Sequence, residues 1–339
     1  MIRFWADEFG RLQTERQLRE LLEVEAAEWL YLTEHGLYRV FQMPKPAGGF
    51  REVEDPEPAL KVVLRRLNEY LQAVYYNVRT KAAFGFLLCP DNDPDPRNIR
   101  TNAQRHCNRP YLLNADFLDF FHAVRQPTVQ AVFEDEPFEF SEELSAVLAR
   151  LCCRNGRLPM GSPTSPVLSN FAARPLDAAL LALARQQNWC FTRFADDLSF
   201  SSDTPVTKPQ LQHIRQLCEL EGFRFNDRKL VQYGPQDDKF VTGLLVGETV
   251  EIPDQYISTL RAEIAKLQTL TEIKFRTGQR ESAWADRFEQ QVAGHLRFVR
   301  FVLGPSDPGY QLLMQAFADA QKPIDDNDPM SWLDFNNYV

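Results

Sequence analysis

Residues 190–202 constrain the fold of this chain more than any other stretch, because apolar residues flank an adjacent pair of acids, Asp196 and Asp197. The aromatic and β-branched residues on each side alternate roughly with polar ones, which predicts two short strands joined by a tight hairpin turn. Two carboxylates so close together repel each other, and a bound cation relieves the repulsion. Asp is also common in solvated turns, so other parts of the chain must decide between these interpretations.

A third acid, Asp116, ends the apolar run at residues 111–116, which predicts a strand. An acid at the end of a buried strand is unfavourable unless a metal or a charged partner neutralises it. A two-metal phosphoryl-transfer site requires two carboxylates on one turn and a third from another strand. We therefore expect Asp116, Asp196 and Asp197 to converge around two Mg²⁺ ions, with Asp196 the more direct ligand of the adjacent pair.

The composition is that of an ordinary globular protein, with 44% hydrophobic and 25% charged residues in a chain of 339. The chain has no apolar run of about 18 residues, the length that indicates a transmembrane helix, and its N-terminus lacks the apolar core of a signal peptide. The six cysteines show neither a C-x-x-C motif nor metal-ligand spacing, which favours a reducing compartment. We expect a cytoplasmic protein with no membrane partner.

The net charge of −9 argues by itself against a nucleic-acid partner. The charges are unevenly distributed, however, because basic residues concentrate at 61–81 and 97–110, while acids concentrate at 17–57, at 134–143 and in the tail. Salt screens distant charges, so the local field decides what binds. An acidic protein can therefore still carry a basic channel for nucleic acid.

Two loops have the composition of nucleotide-binding segments. Residues 38–55 alternate around a Pro/Gly turn, which predicts a hairpin, and Lys45 and Arg51 flank its tip. Two cations there could grip a triphosphate, although many basic turns are simply solvated. Residues 158–166 contain Gly161 and three prolines, which predicts a defined loop whose backbone can approach a base or sugar; the alternative is a plain linker.

Four blocks, in this order, resemble those of bacterial retron-type reverse transcriptases. The match extends from about residue 41 to about residue 304. Asp116 with the phenylalanines after it resembles the first catalytic block, residues 158–170 resemble L-P-Q-G-x-P-T-S-P-x-L-S-N, residues 194–197 resemble Y-A-D-D, and residues 222–229 resemble G-F-x-x-N-x-x-K.

Two short motifs point to retrons within the reverse transcriptases. Residues 102–106 match the family's N-A-x-x-H and residues 241–243 match its V-T-G, both at the expected places between the polymerase blocks. Two residues depart from the family pattern. Phe194 replaces the usual Tyr and Met160 replaces the usual Gln, changes that bear on nucleotide positioning, fidelity and nucleotide preference.

The resemblance implies an α+β fold of the right-hand polymerase type, with a palm of antiparallel sheet plus helices, split fingers and a helical thumb. The three acids would lie in the palm. The implied domains are an N-terminal extension with fingers at residues 1–110, a palm at 111–252 with a fingers insertion at about 124–157, a thumb at 253–322 and an acidic tail at 323–339.

The resemblance also implies roles for residues around the acids. The backbone amide of Asp119 would lie near the triphosphate, the bulk of Phe121 would exclude a ribose 2′-OH, and Lys229 would protonate the departing pyrophosphate. A solvated loop lysine is the alternative for the last of these, and a structural role is the alternative for the N-A-x-x-H motif. Gly161 joins the hairpin cations in nucleotide binding. RNA contacts are expected from Arg97, Arg100, Asn102, Arg105, His106, Val241, Thr242 and Gly243.

If the resemblance holds, the protein is an RNA-directed DNA polymerase that uses Mg²⁺ and dNTPs. It extends DNA from a 2′-OH of its own structured non-coding RNA, which gives a branched RNA–DNA hybrid (msDNA), and it acts in anti-phage defence with a separate effector protein as partner. The alternatives are another defence-associated reverse transcriptase with different priming, a non-catalytic RNA-binding scaffold with a polymerase fold and, more weakly, an RNA-templated RNA polymerase.

Overall fold

The structure, a computed structural model, describes residues 2–35, 37–44, 48–277 and 283–322. The chain divides into two compact units, Met1–Thr242 and Gly243–Val339. Lys45 and the expected acidic tail at 323–339 lie outside the described residues. The described part mixes helices with antiparallel sheet, as the sequence predicts.

Among the described residues, the first six strands of the first unit form two antiparallel sheets. One is a hairpin that pairs β1 (Tyr38–Pro44) with β2 (Phe50–Pro56), as the Pro/Gly turn predicts. The other contains β3 (Tyr111–Asp116), β4 (Cys190–Phe194), β5 (Asp197–Ser202) and β6 (Val231–Tyr233). Its strand order is β4-β5-β3-β6, so β3 and β5 are central neighbours. The short β7 (Phe240–Val241) ends the unit.

Helices of the first unit share one hydrophobic core with the four-stranded sheet. Helical spacing of apolar residues explains this burial; in the helix Pro58–Val78, for example, Leu60, Leu64, Leu67 and Leu71 are all buried. The helices are α1 (Ile2–Gly10), α2 (Glu15–Leu21), α3 (Ala26–His35), α4 (Pro58–Val78), α5 (Ile99–Gln104), α6 (Phe120–Ala123), α7 (Gln126–Glu134), α8 (Glu142–Cys152), α9 (Ser165–Ala172), α10 (Arg174–Gln187) and α11 (Lys208–Leu220).

Local sequence signals set the boundaries of the helices near the sheet. Ser141 caps α8 by accepting a hydrogen bond from the Leu144 N–H, as its position before two acids predicts. Pro175 lies in the first turn of α10, where its missing N–H does no harm. Asn188 then ends α10 in the left-handed conformation. These signals fix where the chain leaves α10 and enters β4.

Among the described residues, no single helix is long and apolar enough to cross a membrane. Helices α9 and α10 reach the length and apolar composition of a membrane span only when they are taken together, and the chain bends by 50° at the break between them. Leu168, Phe171, Leu176 and Leu180 of this pair are buried in the core of the first unit.

The second unit is mostly helical. Its strands β8 (Leu244–Val246) and β9 (Val250–Glu251) pair antiparallel. Three helices pack against one another through residues that include Leu260, Val292 and Leu313, all buried. These helices are α12 (Asp254–Thr277), α13 (Ala283–Leu303) and α14 (Pro308–Ala320).

Candidate active site

Three acids meet at one end of the four-stranded sheet. Asp116 is the last residue of β3 and Asp197 is the first of β5, and the two are direct cross-strand partners. Asp196 lies in the turn between β4 and β5. One carboxylate oxygen from each of Asp116, Asp196 and Asp197 lies within 4.8 Å of the other two. The structure therefore brings together the acids that the sequence predicts to converge.

A two-residue turn presents Asp196 to this cluster. Phe194 pairs with Asp197, which leaves Ala195 and Asp196 as the turn residues, and Ala195 is left-handed with a φ of 58°. Tight hairpin turns require such positive φ values. The Phe117 N–H donates to the Asp196 carbonyl at 3.0 Å, which ties the turn to the end of β3.

The cluster carries more negative charge than the protein neutralises. Burial and the charge of Asp116 raise the pKa of Asp196, and burial together with the charges of Asp196 and Asp116 raises the pKa of Asp197 to about 7. In the part of the chain that the structure describes, no cationic side chain forms an ion pair with Asp196 or Asp197. A hard divalent cation prefers oxygen ligands of this kind, so the three acids fit a divalent metal ion.

Lys229 reaches the three acids from a neighbouring turn. Its Nζ lies 2.6 Å from Asp116 Oδ2, and this bond raises the pKa of Lys229. The 3₁₀ turn Asp227–Lys229 is held in place because the Asn226 N–H donates to the Asp116 carbonyl at 2.7 Å. The Lys229 side chain is nevertheless 59% exposed, so its ammonium group is free to exchange Asp116 for another anion.

Other residues predicted to bind nucleotide lie near the acids or along the loop that follows β3. Arg51 in β2 is exposed, and its charge is close enough to oppose the rise in the pKa of Asp196. Asp119 is exposed and left-handed, with a φ of 48°, immediately before α6. Phe121 is half-buried, and its ring centroid lies 5.7 Å from that of Phe86.

Gly161 packs against β2 through a contact that requires glycine. Its φ is +128°, and a Cβ atom there would lie 2.8 Å from the Glu54 carbonyl oxygen. The Glu54 N–H donates to the Met160 carbonyl at 2.6 Å. The loop at 158–166 is thus fixed to the hairpin, and Met160, which departs from the family's Gln, contributes its backbone to this contact.

Sequence reasoning misses the side chain of Glu54, a buried carboxylate that fixes the same loop. It accepts hydrogen bonds from Arg154 at 2.5 Å and Arg157 at 2.8 Å, and His122 Nε2 lies 3.3 Å away. Burial opposes ionisation, yet the two arginines hold the pKa of Glu54 below its ordinary value. These arginines follow Glu54 by 100 and 103 residues, so only the folded chain reveals the cluster.

Both polar residues of the N-A-x-x-H motif are buried in the core. Asn102 and His106 are each 1% exposed. Nδ1 of His106 lies 2.8 Å from Ser201 Oγ, and Nε2 lies 2.7 Å from Thr192 Oγ1. Burial lowers the pKa of His106 to about 3, so the imidazole is neutral near pH 7. The placement matches the structural alternative for this motif, because the histidine ties the end of α5 to β4 and β5, and it does not favour contact with RNA.

Arginines of the predicted basic cluster are paired with acids of the same unit. Arg97 is buried and bonded to Asp95. Arg105 is exposed and lies 3.3 Å from the same carboxylate. Arg109 lies 2.7 Å from Asp203. Their charge is therefore partly neutralised, which the sequence does not show because the acids lie outside the cluster, and the burial of Arg97 does not favour its contact with RNA.

The V-T-G motif forms a turn against α5. Val241 is buried, and the Thr242 hydroxyl donates to the Ile99 carbonyl at 3.2 Å. Thr242 and Gly243 are both left-handed, with φ values of 49° and 81°. Arg100, the next residue of α5, is half-buried. Val241 and Thr242 thus hold α5 in place, whereas Gly243 is exposed.

Curated relatives of the chain are reverse transcriptases of retrons. Retron Ec83 reverse transcriptase of Escherichia coli is 24% identical over 254 residues, 71% of this chain and 77% of that protein. Retron Mx65 reverse transcriptase of Myxococcus xanthus is 30% identical over 247 residues, 66% of this chain and 55% of that protein. Retron Ec86 reverse transcriptase of Escherichia coli is 29% identical over 252 residues, 72% of this chain and 74% of that protein. Over about 70% of its length, the chain is similar to retron reverse transcriptases.

These relatives support the assignment of the protein as an RNA-directed DNA polymerase, with an RNA template as its partner. The resemblance to retron reverse transcriptases that the sequence blocks predict is confirmed. No protein-family model matches the chain.

Two telomerase structures are similar to this chain at a low level. That of Candida albicans, with a TWJ fragment of telomeric RNA, has a TM-score of 0.46 and 10% identity over 90% of this chain and 68% of that chain. That of Candida Tropicalis has a TM-score of 0.41 and 13% identity over 64% and 55% of the two chains. These scores are too low to assign a fold or a function.

Proposed function

We propose that this retron reverse transcriptase synthesises msDNA, a branched RNA–DNA hybrid, by nucleotidyl transfer at Asp116, Asp196 and Asp197. The observation that carries the proposal is that one oxygen from each acid lies within 4.8 Å of the others. Two Mg²⁺ ions bound there would activate the attacking hydroxyl and steady the triphosphate and the leaving pyrophosphate. The three acids are the proposed ligands, and Asp196, presented by the turn, is the more direct ligand of the adjacent pair.

Lys229 has two partners in this proposal. Its ammonium group neutralises Asp116 across a distance of 2.6 Å. Once that carboxylate holds cations, the exposed lysine is free to turn to the triphosphate. There it would donate a proton to the departing pyrophosphate, a transfer that a positioned acid accelerates.

The remaining nucleotide contacts are assigned to the hairpin and to two backbone segments. Arg51, whose charge already acts on Asp196, would bind the β- and γ-phosphates together with Lys45. The backbone at Asp119 and at Gly161 would approach the triphosphate and the base or sugar. A guanidinium group suits this role because it can bind two phosphate oxygens at once.

Phe121 is the proposed barrier to ribonucleotides. The ring of Phe86, 5.7 Å away, would limit its movement toward the protein, so a 2′-OH would meet its bulk. Phe121→Ala is expected to raise incorporation of ribonucleotides relative to deoxynucleotides about tenfold or more. Primer extension with rNTPs and dNTPs on the same template measures the ratio, and unchanged sugar selection would count against the steric role.

The domain assignment is also part of the proposal. The four-stranded sheet and its flanking helices correspond to the palm at 111–252, with a fingers insertion at about 124–157. Residues 1–110 would supply the extension and fingers, and the helical residues 253–322 would supply the thumb.

Of the predicted RNA-binding residues, Arg100, Arg105 and Gly243 keep that role in the proposal, because they are exposed or half-buried. Duplex RNA is bound mainly through its shape and phosphates, so residues at the surface are the ones that can contact it.

The biological setting follows from the family resemblance. The enzyme would start DNA from a 2′-OH of its cognate non-coding RNA and remain bound to the product. It would act in the cytoplasm in defence against phage, with a separate effector protein held in check by the complex.

Sequencing the nucleic acid that copurifies with the protein tests this proposal. The chain is produced with its neighbouring RNA gene, and the expected result is one structured RNA joined 2′–5′ to DNA. Asp196→Asn with Asp197→Asn should leave the RNA but no DNA. Asp203→Asn, which removes an acid paired with Arg109 on the surface, is the matched control and should leave the product unchanged.

Three results would contradict the proposal. DNA without a 2′–5′ junction would indicate a reverse transcriptase with different priming. Survival of DNA synthesis in the double variant would show that catalysis does not depend on these acids, and phage protection that survives without any DNA would indicate an RNA-binding scaffold.

A further inference from the structure

The hairpin turn that carries Asp196 rests on a fully buried arginine. Arg193, in β4, is 0% exposed. Its Nε donates to Asp177 Oδ1 at 2.7 Å and its Nη2 donates to Asp177 Oδ2 at 2.8 Å. Asp177, in α10, also accepts a hydrogen bond from the Thr80 hydroxyl at 2.7 Å. The guanidinium plane is therefore fixed by a two-pronged ion pair to a helix of the core.

The third guanidinium nitrogen holds the turn itself. Nη1 of Arg193 donates to the Ala195 carbonyl at 3.1 Å and to Asn170 Oδ1 at 3.0 Å. The Ala195 carbonyl belongs to the peptide that leads into Asp196, so its position fixes the start of that residue. Asn170 in turn donates from Nδ2 to the Gly85 carbonyl at 2.9 Å, which links the turn to a third segment of chain.

The segment around Gly85 contacts the Ala195–Asp196 turn on the side opposite the guanidinium group of Arg193. A Cβ atom on Gly85 would lie 2.7 Å from the Ala195 nitrogen. The Phe84 N–H donates to the Arg193 carbonyl at 2.8 Å, and the Arg193 N–H donates to the Ala82 carbonyl at 2.7 Å. The left-handed Ala195 is thus enclosed between the guanidinium group and the backbone at Gly85, and it has little room to move.

We propose that Arg193 is a positioning residue that sets the metal affinity of the site through the Ala195–Asp196 turn. A buried ion pair is not by itself a strong source of stability, because well-packed apolar residues often replace one without loss. Arg193 adds something that apolar residues cannot supply, a hydrogen bond to the turn carbonyl. Groups that orient metal ligands in this way change metal affinity by about 10- to 100-fold when they are removed. The inference rests on the proposed metal site.

Two variants of the full chain separate positioning from folding. Arg193→Lys keeps the charge opposite Asp177, but one ammonium group cannot reproduce the four hydrogen bonds of the guanidinium group. Arg193→Met with Asp177→Leu removes the buried charges as a pair, so neither is left uncompensated. Where the double variant fails to fold, Arg193→Lys, studied below its unfolding temperature, answers the question.

A second ion pair provides the matched control. Arg79 and Asp93 are bonded at 2.7 and 2.9 Å in the same two-pronged way, with side chains 12% and 0% exposed. This pair joins the end of α4 to the loop that follows it, away in sequence from the hairpin. Arg79→Met with Asp93→Leu repeats the change in charge and volume without touching the Ala195 carbonyl.

The measurement is the affinity of the protein, without nucleic acid, for Mn²⁺. Calorimetry measures it directly, and the electron paramagnetic resonance signal of unbound Mn²⁺ measures it independently. Both Arg193 variants are expected to bind Mn²⁺ about 10- to 100-fold more weakly than wild type, and the control as tightly as wild type. Folded Arg193 variants that bind Mn²⁺ as tightly as wild type would overturn the inference and leave the pair a purely structural role. Absence of binding by wild type, or unchanged binding by Asp196→Asn, would instead remove the metal site and the inference with it.

Discussion

Two kinds of buried acid occur in the first unit, and they differ in what neutralises them. Glu54 and Asp177 are both 0% exposed. Glu54 forms ion pairs with Arg154 and Arg157. Asp177 accepts hydrogen bonds from both Nε and Nη2 of Arg193. The negative charge of each of these acids is therefore balanced by arginines of the protein itself.

The acids at the end of the sheet are different. Lys229 pairs with Asp116 alone, and the pKa values of Asp196 and Asp197 are both raised. A cluster that the protein leaves partly unneutralised destabilises the fold on its own and favours a divalent cation. The contrast separates acids that are paired with arginines, as a structural role requires, from acids that lack enough positive charge, as a metal site would require.

Asp196→Asn is expected to have the largest effect on activity and to distinguish the two kinds of acid most clearly. DNA synthesis should fall about a thousandfold or more, equivalent to about 4 kcal/mol of transition-state stabilisation. The metal-free variant should be no less stable than wild type, because the change removes repulsion and breaks no ion pair. Primer extension and thermal unfolding in EDTA measure the two quantities. A large drop in unfolding temperature would place Asp196 with the structural acids.

Glu54→Gln should show the opposite pattern. It leaves two guanidinium groups without their anion, so the free energy of unfolding should fall by about 3 kcal/mol. Urea unfolding measures the change, and Glu52→Gln on the same strand, where the side chain is exposed, serves as the control. Equal stability of the two variants would show that the Glu54 cluster contributes nothing to the fold.

Added Mg²⁺ should stabilise the enzyme through the acids at the end of the sheet. A ligand present at about 100 times its Kd stabilises a folded protein by about 2.7 kcal/mol. Thermal unfolding with and without MgCl₂ should therefore show a shift for wild type and for Glu52→Gln. The shift should vanish in Asp196→Asn with Asp197→Asn; a shift of the same size there would mean that Mg²⁺ binds elsewhere.

The same comparison can be made for His106, a buried imidazole whose ring nitrogens lie next to two hydroxyl groups. Its pKa is about 3 in the folded protein against an ordinary value of 6.5, so below pH 6.5 the unfolded chain binds a proton that the folded chain does not. Stability should therefore fall as pH decreases from 6.5, by about 1.4 kcal/mol per pH unit. His106→Gln should lose this slope relative to wild type, whereas His213→Gln, at an exposed position, should keep it.

The parts of the site that sequence reasoning predicts are those with local signals. The hairpin at 190–202 follows from alternation, and the strand ending in Asp116 follows from its apolar run. Antiparallel pairing of β3 with β5 then brings Asp116 beside Asp197, because the end of one strand meets the start of its neighbour. The pairing of β1 with β2 and the cap at Ser141 depend on the same class of local signal.

The parts that sequence reasoning misses depend on partners distant in the chain. Glu54 and Arg193 look like ordinary charged residues in strands until their partners are known. His106 is predicted to contact RNA, yet its ring nitrogens lie within hydrogen-bond distance of hydroxyl groups on β4 and β5. The sequence pattern does not reveal these contacts, because the partners come together only in the folded chain.

Diffraction from crystals soaked in Mn²⁺ tests most directly whether the acids at the end of the sheet hold metal. Crystals of the enzyme with an RNA template, a DNA primer and a non-hydrolysable dNTP should give anomalous peaks among the carboxylates of Asp116, Asp196 and Asp197, with Lys229 withdrawn from Asp116. A well-ordered complex with no peak there, and with Lys229 still bonded to Asp116, would contradict the assignment of these acids as a metal site.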